Sequence, residues 1–173
     1  IPINLKSIDS GLFNNCKSLT SITIPNEVSS IGSSAFASCS SLPSIVIPNS
    51  VTCIGDYAFF GCESLVSISI PNGVKVINRN TFSNCKSLTS VEMYSPVNCI
   101  EESAFEDCKN LVIYASTGSY AEKYAQDGVL YNGFGEYDAN YQLPTDGDYA
   151  YVKGNGKIVI GYTIFSPIAY FPE

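Results

Sequence analysis

The sequence contains no histidine and no tryptophan among its 173 residues. Without histidine, neither a serine–histidine nor a cysteine–histidine nucleophilic pair can form, so both kinds of catalytic site are excluded. The seven cysteines include no Cys-x-x-Cys pair, and their regular spacing does not suit a tetrahedral zinc cage. We therefore expect no catalytic residue, no metal and no cofactor, and we interpret the chain as a non-enzymatic protein.

Positive charge is also scarce. Nine Lys and Arg residues stand against sixteen Asp and Glu, which gives a formal net charge of −7 at pH 7. Nucleic-acid binding requires a basic surface that displaces counterions, and membrane-surface binding often relies on a polybasic patch. No apolar run approaches the ~18 residues that a membrane-spanning helix needs. We expect neither a nucleic-acid partner nor membrane insertion in this chain.

What the sequence does contain is a strict repeat. A phenylalanine recurs every 23 residues, and a cysteine recurs at the same interval three positions later. The residues are Phe13, Phe36, Phe59, Phe82 and Phe105, with Cys16, Cys39, Cys62, Cys85 and Cys108. A fixed period of this length is typical of a solenoid, in which each unit buries its apolar face only against its neighbours. The period predicts an extended binding surface instead of a catalytic cleft.

One repeat indicates how a coil should fold. Ile22 and Ile24 lie two positions apart, so on a strand both face the core while Ser21 and Thr23 face outward. Pro25 ends this strand because it has no N–H to donate. A turn and a short second extended segment should follow. A brief helical or 3₁₀ turn then closes the coil, because three of its apolar residues have helical spacing: Ala35, Phe36 and Cys39.

The repeat resembles the BspA-like leucine-rich repeat family of bacterial and protist surface proteins, over roughly residues 1–129. The resemblance rests on positions that recur from copy to copy, namely Leu19, Ile22, Ile24, Pro25, Val28, Ile31, Gly32, Ala35, Phe36 and Cys39 in one repeat. It implies an α/β repeat fold, a curved right-handed parallel β-solenoid with short helical or 3₁₀ turns. It also implies surface display and adhesion for many members, without fixing the ligand. Ile1 and Pro2 match Ile24 and Pro25, so we expect the chain to begin within a repeat.

We divide the chain into a repeat array over residues 1–130 and a tail over residues 131–173. Ser119 and Glu122 form a capping-box signature, which predicts a short cap helix at about residues 119–127. The same segment resembles the terminal cap of the BspA-like family. A cap of this kind would cover the apolar cross-section at the end of the solenoid.

The tail is rich in tyrosine and glycine. Tyr149 and Tyr151, followed by a Gly-Asn-Gly turn and then Ile158 and Ile160, predict a β-hairpin. We interpret it as the start of a further module. Because a lone hairpin is marginal in water, it should dock on the cap, pair with a second molecule or remain mobile, and we favour docking or self-association. Packed tyrosines are the preferred interpretation here, with an aromatic sugar-binding platform as the alternative.

The cysteines allow two interpretations. The five in phase should fill the same core position in every coil, as a buried ladder of reduced thiols. The alternative is a set of disulfide staples, as in many small secreted domains. Cys53 and Cys99 occupy a second register, and we expect them to lie nearer the surface and too far apart to pair.

The outward positions of the predicted strands are the candidate ligand-binding residues. They form two rows on the concave sheet, which are Ser21, Ser44, Ser67 and Ser90, and Thr23, Val46, Ser69 and Glu92. These rows suit contact with a host or extracellular protein or a glycan, or they are merely a solvated sheet face. We interpret the chain as a binding or adhesion module of a secreted or cell-surface protein. The alternatives are a passive spacer and an accessory module of a larger secreted enzyme.

Overall fold

The computed structural model describes residues 4–94, 97–116, 119–121 and 124, together with the backbone of 149–153. The described chain forms a parallel β-solenoid of about five coils with little helix, which confirms the predicted fold class. We name each coil after its core phenylalanine. The coils are the Phe13 coil (4–18), the Phe36 coil (19–41), the Phe59 coil (42–64), the Phe82 coil (65–87) and the Phe105 coil (88–110).

The strands are short, and each coil contributes at most two. In chain order they are β1 (Ser7–Ile8), β2 (Ser30–Ile31), β3 (Cys53–Ile54), β4 (Ser67–Ser69), β5 (Val76–Ile77), β6 (Ser90–Met93), β7 (Cys99–Ile100), β8 (Leu111–Ala115) and β9 (Tyr149–Lys153). A 3₁₀ helix, Glu102–Phe105, lies between β7 and β8.

Three walls enclose the core. The strand wall contains β4, β6 and β8 in parallel order, together with the equivalent segments 21–24 and 44–47. The side wall contains the parallel strands β1, β2 and β3, followed by the separate parallel pair β5 and β7. The turn wall contains the segments between each side-wall strand and the cysteine of the same coil. This layout separates the outward rows of the strand wall from the two other faces.

The strand wall is incomplete at its first coils because of Pro43. In later coils the residue at this position donates its backbone amide to the coil before, as Val66 does to the Pro43 oxygen at 3.1 Å and Thr89 to the Val66 oxygen at 2.9 Å. Pro43 has no N–H, so the matching bond to Thr20 cannot form. Residues 21–24 keep the predicted alternation of burial, but they are not the paired strand that we expected.

The side wall is interrupted at Asn78. In the Phe36 and Phe59 coils, the backbone amides of Gly32 and Gly55 donate to the strand of the preceding coil, at 2.8 Å in both cases. At the corresponding place, Asn78 donates from its side-chain Nδ2 to the Ile54 oxygen at 2.6 Å. That carbonyl is therefore occupied by a side chain, and the sheet restarts with β5 and β7.

Stacked phenylalanines form the centre of the core. The Phe36 and Phe59 rings lie 5.4 Å apart between centroids with an interplanar angle of 5°, and the other neighbouring pairs are alike. Such near-parallel stacking adds to the free energy that burial of each ring supplies. Phe59 is fully buried, as predicted, whereas Phe13 is half-buried at the first described coil.

The turn wall consists mainly of successive hydrogen-bonded turns. In the Phe36 coil, the amides of Ala35, Ala37 and Cys39 each donate to the carbonyl three residues back, at 3.2 Å. The alternate amides, those of Ser34, Phe36 and Ser38, donate to the next coil at 2.6–2.8 Å. Among the described residues, only Glu102–Phe105 is a 3₁₀ helix. The apolar residues with helical spacing do face the core. However, alternate backbone amides of the coil donate to the next coil instead of continuing a helix.

Left-handed residues make this alternation possible. The turn walls of the first four coils each have two of them, four positions apart, such as Ser34 and Ser38 with φ of 56° and 59°. Gly11 and Gly61 occupy two of these positions, where glycine carries no steric penalty. Gly32 is different, because its φ is not left-handed. A Cβ there would lie 2.5 Å from the Ser10 backbone nitrogen, so close approach between coils, rather than the sharp bend we expected, requires glycine.

The end of the array pairs with the tail. The register joins Glu92 to Tyr114 in β6 and β8, a step of 22 residues where earlier coils step 23. Strand β9 then pairs with β8 in antiparallel direction, with Ile113 opposite Tyr151. We expected docking near Tyr120 and Tyr124 or pairing with a second molecule; in the structure, β9 adds to the sheet edge at β8.

The remaining predictions about the C-terminal part stay predictions. Tyr120, Ala121 and Tyr124 are helical, and Ala121 is buried. The other residues of the proposed 119–127 cap, and the second strand of the predicted hairpin with Ile158 and Ile160, lie outside the described residues. The division into 1–130 and 131–173 is likewise untested.

Candidate ligand-binding face

The predicted outward rows are on the surface of the strand wall. Seven of the eight residues are exposed, and Ser90 is half-buried: the exposed ones are Ser21, Thr23, Ser44, Val46, Ser67, Ser69 and Glu92. Val46 is 80% exposed, an unusual state for a large aliphatic side chain in a packed array. The alternation of burial along the sequence therefore placed these side chains correctly, whereas their role in ligand binding is a separate question.

Strand pairing aligns the two rows across the coils. Ser67 is the register partner of both Ser44 and Ser90, and Ser69 is the partner of Glu92. Side chains in register on one face of a sheet lie about 5 Å apart, so a ligand can contact several coils at once. The backbone beneath the later coils is fixed by parallel pairing, which makes this face a preformed surface.

The rows extend one coil further than the sequence indicated. The register places Val112 beside Ser90 and Tyr114 beside Glu92, and both side chains are half-buried. These residues were missed because the last coil is one residue shorter, which shifts it out of the 23-residue frame. The sequence signal that could have found them is the spacing of Leu111 and Ile113, which have one residue between them. In earlier coils, two residues separate the leucine from the next core-facing isoleucine or valine.

The chemistry of these rows is mostly neutral and hydroxyl-rich. Serine and threonine hydroxyls both donate and accept hydrogen bonds, and Val46 adds an apolar contact among them. Glu92 is the charged member of the rows, near their C-terminal end. In the part of the chain that the structure describes, no group of three or more His, Cys, Asp or Glu could hold a metal ion. This surface can therefore bind by shape and hydrogen bonding.

The in-phase cysteines are structural. Four of them, Cys39, Cys62, Cys85 and Cys108, are buried, and all are free thiols. Each sulfur donates to the carbonyl oxygen of the phenylalanine in the preceding coil, at 3.1–3.2 Å. Burial, and then the neighbouring thiol, raises the pKa of Cys39 to about 11 and that of Cys62 to about 12. A thiol held protonated in this way is a poor nucleophile.

The remaining cysteines are more accessible. Cys53 is exposed and Cys99 is half-buried, in agreement with the prediction that both lie nearer the surface. Cys16 is exposed, so the expectation of a fully buried ladder of five is wrong at this residue. The physical reason is its position: Cys16 belongs to the first described coil, and no described coil packs on its other side.

Two exposed ion pairs join neighbouring coils. Lys6 Nζ lies 2.6 Å from Glu27 Oε2, and Lys86 Nζ lies 2.7 Å from Glu63 Oε1. The hydrogen bond from Lys6, and then its charge, lowers the pKa of Glu27. The hydrogen bond to Glu63, and then its charge, raises the pKa of Lys86. Because both pairs are solvated, they contribute little to stability.

A comparison with protein families matches residues 1–118 to six copies of the BspA type leucine rich repeat region. The chain therefore belongs to the BspA-type leucine-rich repeat family, and it is a repeat-based interaction module of a kind that is typically non-enzymatic. No curated protein sequence matches the chain. None of the helices in the described residues is long and apolar enough to cross a membrane.

Solved structures of bacterial leucine-rich repeat proteins agree with this assignment. A leucine-rich repeat protein from Bacteroides ovatus is 36% identical with a TM-score of 0.63, over 65% of this chain and 29% of the other. A leucine rich cell surface protein from Faecalibacterium prausnitzii is 35% identical with a TM-score of 0.66, over 71% and 32%. The leucine rich repeat protein of T. pallidum is 33% identical with a TM-score of 0.61, over 64% and 54%. The chain thus spans about half or less of each of these relatives.

Proposed function

We propose that this protein is a binding and adhesion module that presents its strand wall to an extracellular protein. The observation that carries the proposal is the pair of rows from Ser21 to Ser90 and from Thr23 to Glu92, which are exposed except for the half-buried Ser90. Strand register aligns Ser44, Ser67 and Ser90 in the first row and Ser69 with Glu92 in the second. An extended surface of this kind, several coils long, favours a partner with an extended surface of its own. A glycan ligand is the second possibility, because hydroxyl-rich surfaces also suit sugars.

The mostly neutral character of the rows supports a protein partner. A non-obligate protein interface has about the same apolar fraction as the rest of a protein surface, with charged residues depleted at its core. The centre of the strand wall has this character, because Ser44, Ser67 and Ser69 surround the exposed side chain of Val46. Tyr114, at the end of one row, is one of the residue types that are enriched among interface hot spots.

We place the protein at the cell surface or in the secreted fraction. The support is the family itself and the F. prausnitzii relative, which is named a leucine rich cell surface protein. The alternatives remain a passive spacer, which would hold another domain away from the cell, and an accessory module of a secreted enzyme. Neither alternative requires a mostly exposed and mostly neutral set of rows, so the binding role is preferred.

Capture by a panel of immobilised extracellular matrix proteins and glycans tests this proposal. The wild-type chain should bind at least one protein of the panel, and binding should fall when Ser67 and Ser69 are both replaced by arginine. Exposed strand positions tolerate polar change, so this variant should unfold at nearly the wild-type temperature. A chain that binds no panel member, with its fold intact by circular dichroism, is the result expected of a spacer.

A further inference from the structure

The turn wall carries a cleft that the strand-wall function does not use. It has a volume of about 360 Å³, within the range of about 300–1,000 Å³ that small-molecule sites occupy. We call it the Phe60 cleft, and its principal lining residues are Phe60, Gly61, Ser38, Ser40, Asn84 and Lys17. They come from four successive coils, so only the folded array assembles the cleft.

An aromatic ring stands where the other coils have smaller residues. The register position of Phe60 is occupied by Ala37 in the coil before it and by Ser83 in the coil after it. Phe60 is half-buried and lines the cleft, although most large aromatic rings of the array lie in the core. A flat apolar face at the surface of a cleft is a stacking platform.

Tyr57 holds this ring at a cost in backbone strain. Its φ is +58°, a left-handed conformation that is an outlier for a bulky side chain. The same position holds Gly11 and Asn80 in other coils, residue types that tolerate this conformation better. The Tyr57 and Phe60 rings meet edge to face, with centroids 5.7 Å apart and an interplanar angle of 62°. Tyr57 therefore restricts the orientation of the Phe60 ring.

The polar groups around the ring have free hydrogen-bonding capacity. The hydroxyls of Ser38 and Ser40 bond to no other described side chain or backbone group, and Lys17 forms no ion pair with any described residue. Asn84 uses only its Nδ2, in a 3.3 Å bond to the Ser83 hydroxyl. Gly61 has no side chain, so the space between Ser38 and Asn84 remains open.

The charge of the cleft points to a neutral ligand. Glu63, which also lines it, is already paired with Lys86, which leaves a single ammonium group at Lys17. One unpaired cation is too little to bind a polyanion, and a carbohydrate hydroxyl can accept a hydrogen bond from it. Because an aromatic face is combined with hydroxyl and amide groups, we propose that the Phe60 cleft binds one pyranose ring of a neutral glycan, stacked on Phe60.

Titration calorimetry with cellohexaose, maltohexaose and mannohexaose, supported by ligand-observed NMR, tests this proposal on the full chain. At least one of these neutral oligosaccharides should bind the wild type. Replacement of the ring by Phe60→Ala or Phe60→Leu should weaken that binding about tenfold, since an aromatic stacking contact is worth about one order of magnitude. The leucine variant keeps the bulk of the side chain and decides the question if the alanine variant does not fold.

The matched control is Leu12→Ala, which also replaces an apolar side chain of the turn wall with alanine. Two later coils already have alanine at the same register position, as Ala35 and Ala58. This variant should bind as the wild type does. Tyr57→Asn should weaken binding and yet raise the melting temperature, because it removes the strained tyrosine. The proposal is overturned if no panel sugar binds or if binding survives Phe60→Leu. It is also overturned if Ser67→Arg with Ser69→Arg abolishes binding that both Phe60 variants retain.

Discussion

The thiol of Cys62 donates a hydrogen bond to the carbonyl oxygen of Phe36, 3.2 Å away in the preceding coil. The same oxygen accepts the backbone amide of Cys39, also at 3.2 Å. Each in-phase cysteine thus fills a core position and satisfies a turn-wall acceptor of its neighbour. The thiol contact requires the cysteine to lie 26 residues after that phenylalanine, which is one period plus the three residues from Phe36 to Cys39, and this gives a physical reason for the strict 23-residue period.

The first prediction concerns thiol accessibility. Cys16 and Cys53 should react first with a thiol reagent at neutral pH, followed by Cys99, because these side chains are at least partly exposed. The four buried thiols should react only after denaturation. Intact-mass measurement during labelling with iodoacetamide would resolve the two groups. Two or more native disulfides, or fast labelling of Cys62, would contradict the model of a reduced ladder.

The second prediction concerns alkaline pH. The pKa of Cys39 is raised to about 11 and that of Cys62 to about 12, from 9.0 for an unperturbed thiol. Below pH 9 the two thiols are protonated in both the folded and the unfolded state, so the protein has its full free energy of unfolding. Above it the unfolded chain loses protons that the folded chain retains, so stability falls by about 1 kcal/mol per pH unit for each such thiol.

Urea unfolding at pH 8.5, 9.5 and 10.5 measures this loss. A variant with Cys39→Ala and Cys62→Ala is the matched control, since it is less stable at neutral pH but lacks two of the titrating thiols. Its free energy of unfolding should fall less steeply over this range. Equal slopes for the two proteins would show that these thiols do not set the alkaline limit.

The third prediction concerns the phenylalanine stack. Phe59→Ala should lower the free energy of unfolding by about 3–5 kcal/mol, because it leaves a cavity between two rings. Phe13→Ala should cost less, since Phe13 is half-buried and stacks on one described ring only. Denaturant unfolding monitored by circular dichroism gives both values. A change within about 0.5 kcal/mol for Phe59→Ala would refute its place in the core.

The fourth prediction separates two roles of glycine. A Cβ at Gly55 would lie 2.5 Å from the Ser33 backbone nitrogen, whereas a Cβ at Gly61 meets its nearest neighbour at 3.6 Å. Gly55→Ala should therefore cost about 3 kcal/mol by forcing two coils apart. Gly61→Ala should cost only about 1 kcal/mol, the penalty of a left-handed φ. Melting temperatures compare the two, and a larger loss for Gly61→Ala would reverse this assignment.

The repeat made the fold predictable because a solenoid is determined by the contacts between neighbouring units. The spacing of Phe36 and Phe59 alone indicates the stack, and the alternation around Ile22 indicates which side chains face outward. The two sheet interruptions were not predictable in this way. They arise from single residues that break the ladder, a proline at position 43 and an amide side chain at Asn78.

The turn wall shows the limit of spacing arguments. Ala35, Phe36 and Cys39 have helical spacing, yet the left-handed residues Ser34 and Ser38 direct alternate amides to the next coil. A contact between coils decided the local structure, and periodicity does not report such contacts. The Phe60 cleft was missed for a related reason. Its only sequence signal is Phe60, a large aromatic residue at a register position that holds smaller residues in the other coils.

The most direct test of the central claim is the affinity of one captured extracellular protein for three forms of the chain, measured by surface plasmon resonance. The forms are the wild type, Ser67→Arg with Ser69→Arg on the strand wall, and Val76→Arg on the side wall. All three should unfold at similar temperatures. We predict that the double variant loses binding at least about tenfold, a change of about 1.4 kcal/mol, while Val76→Arg binds as the wild type does. Unchanged affinity in the double variant would show that the strand wall is not the binding face.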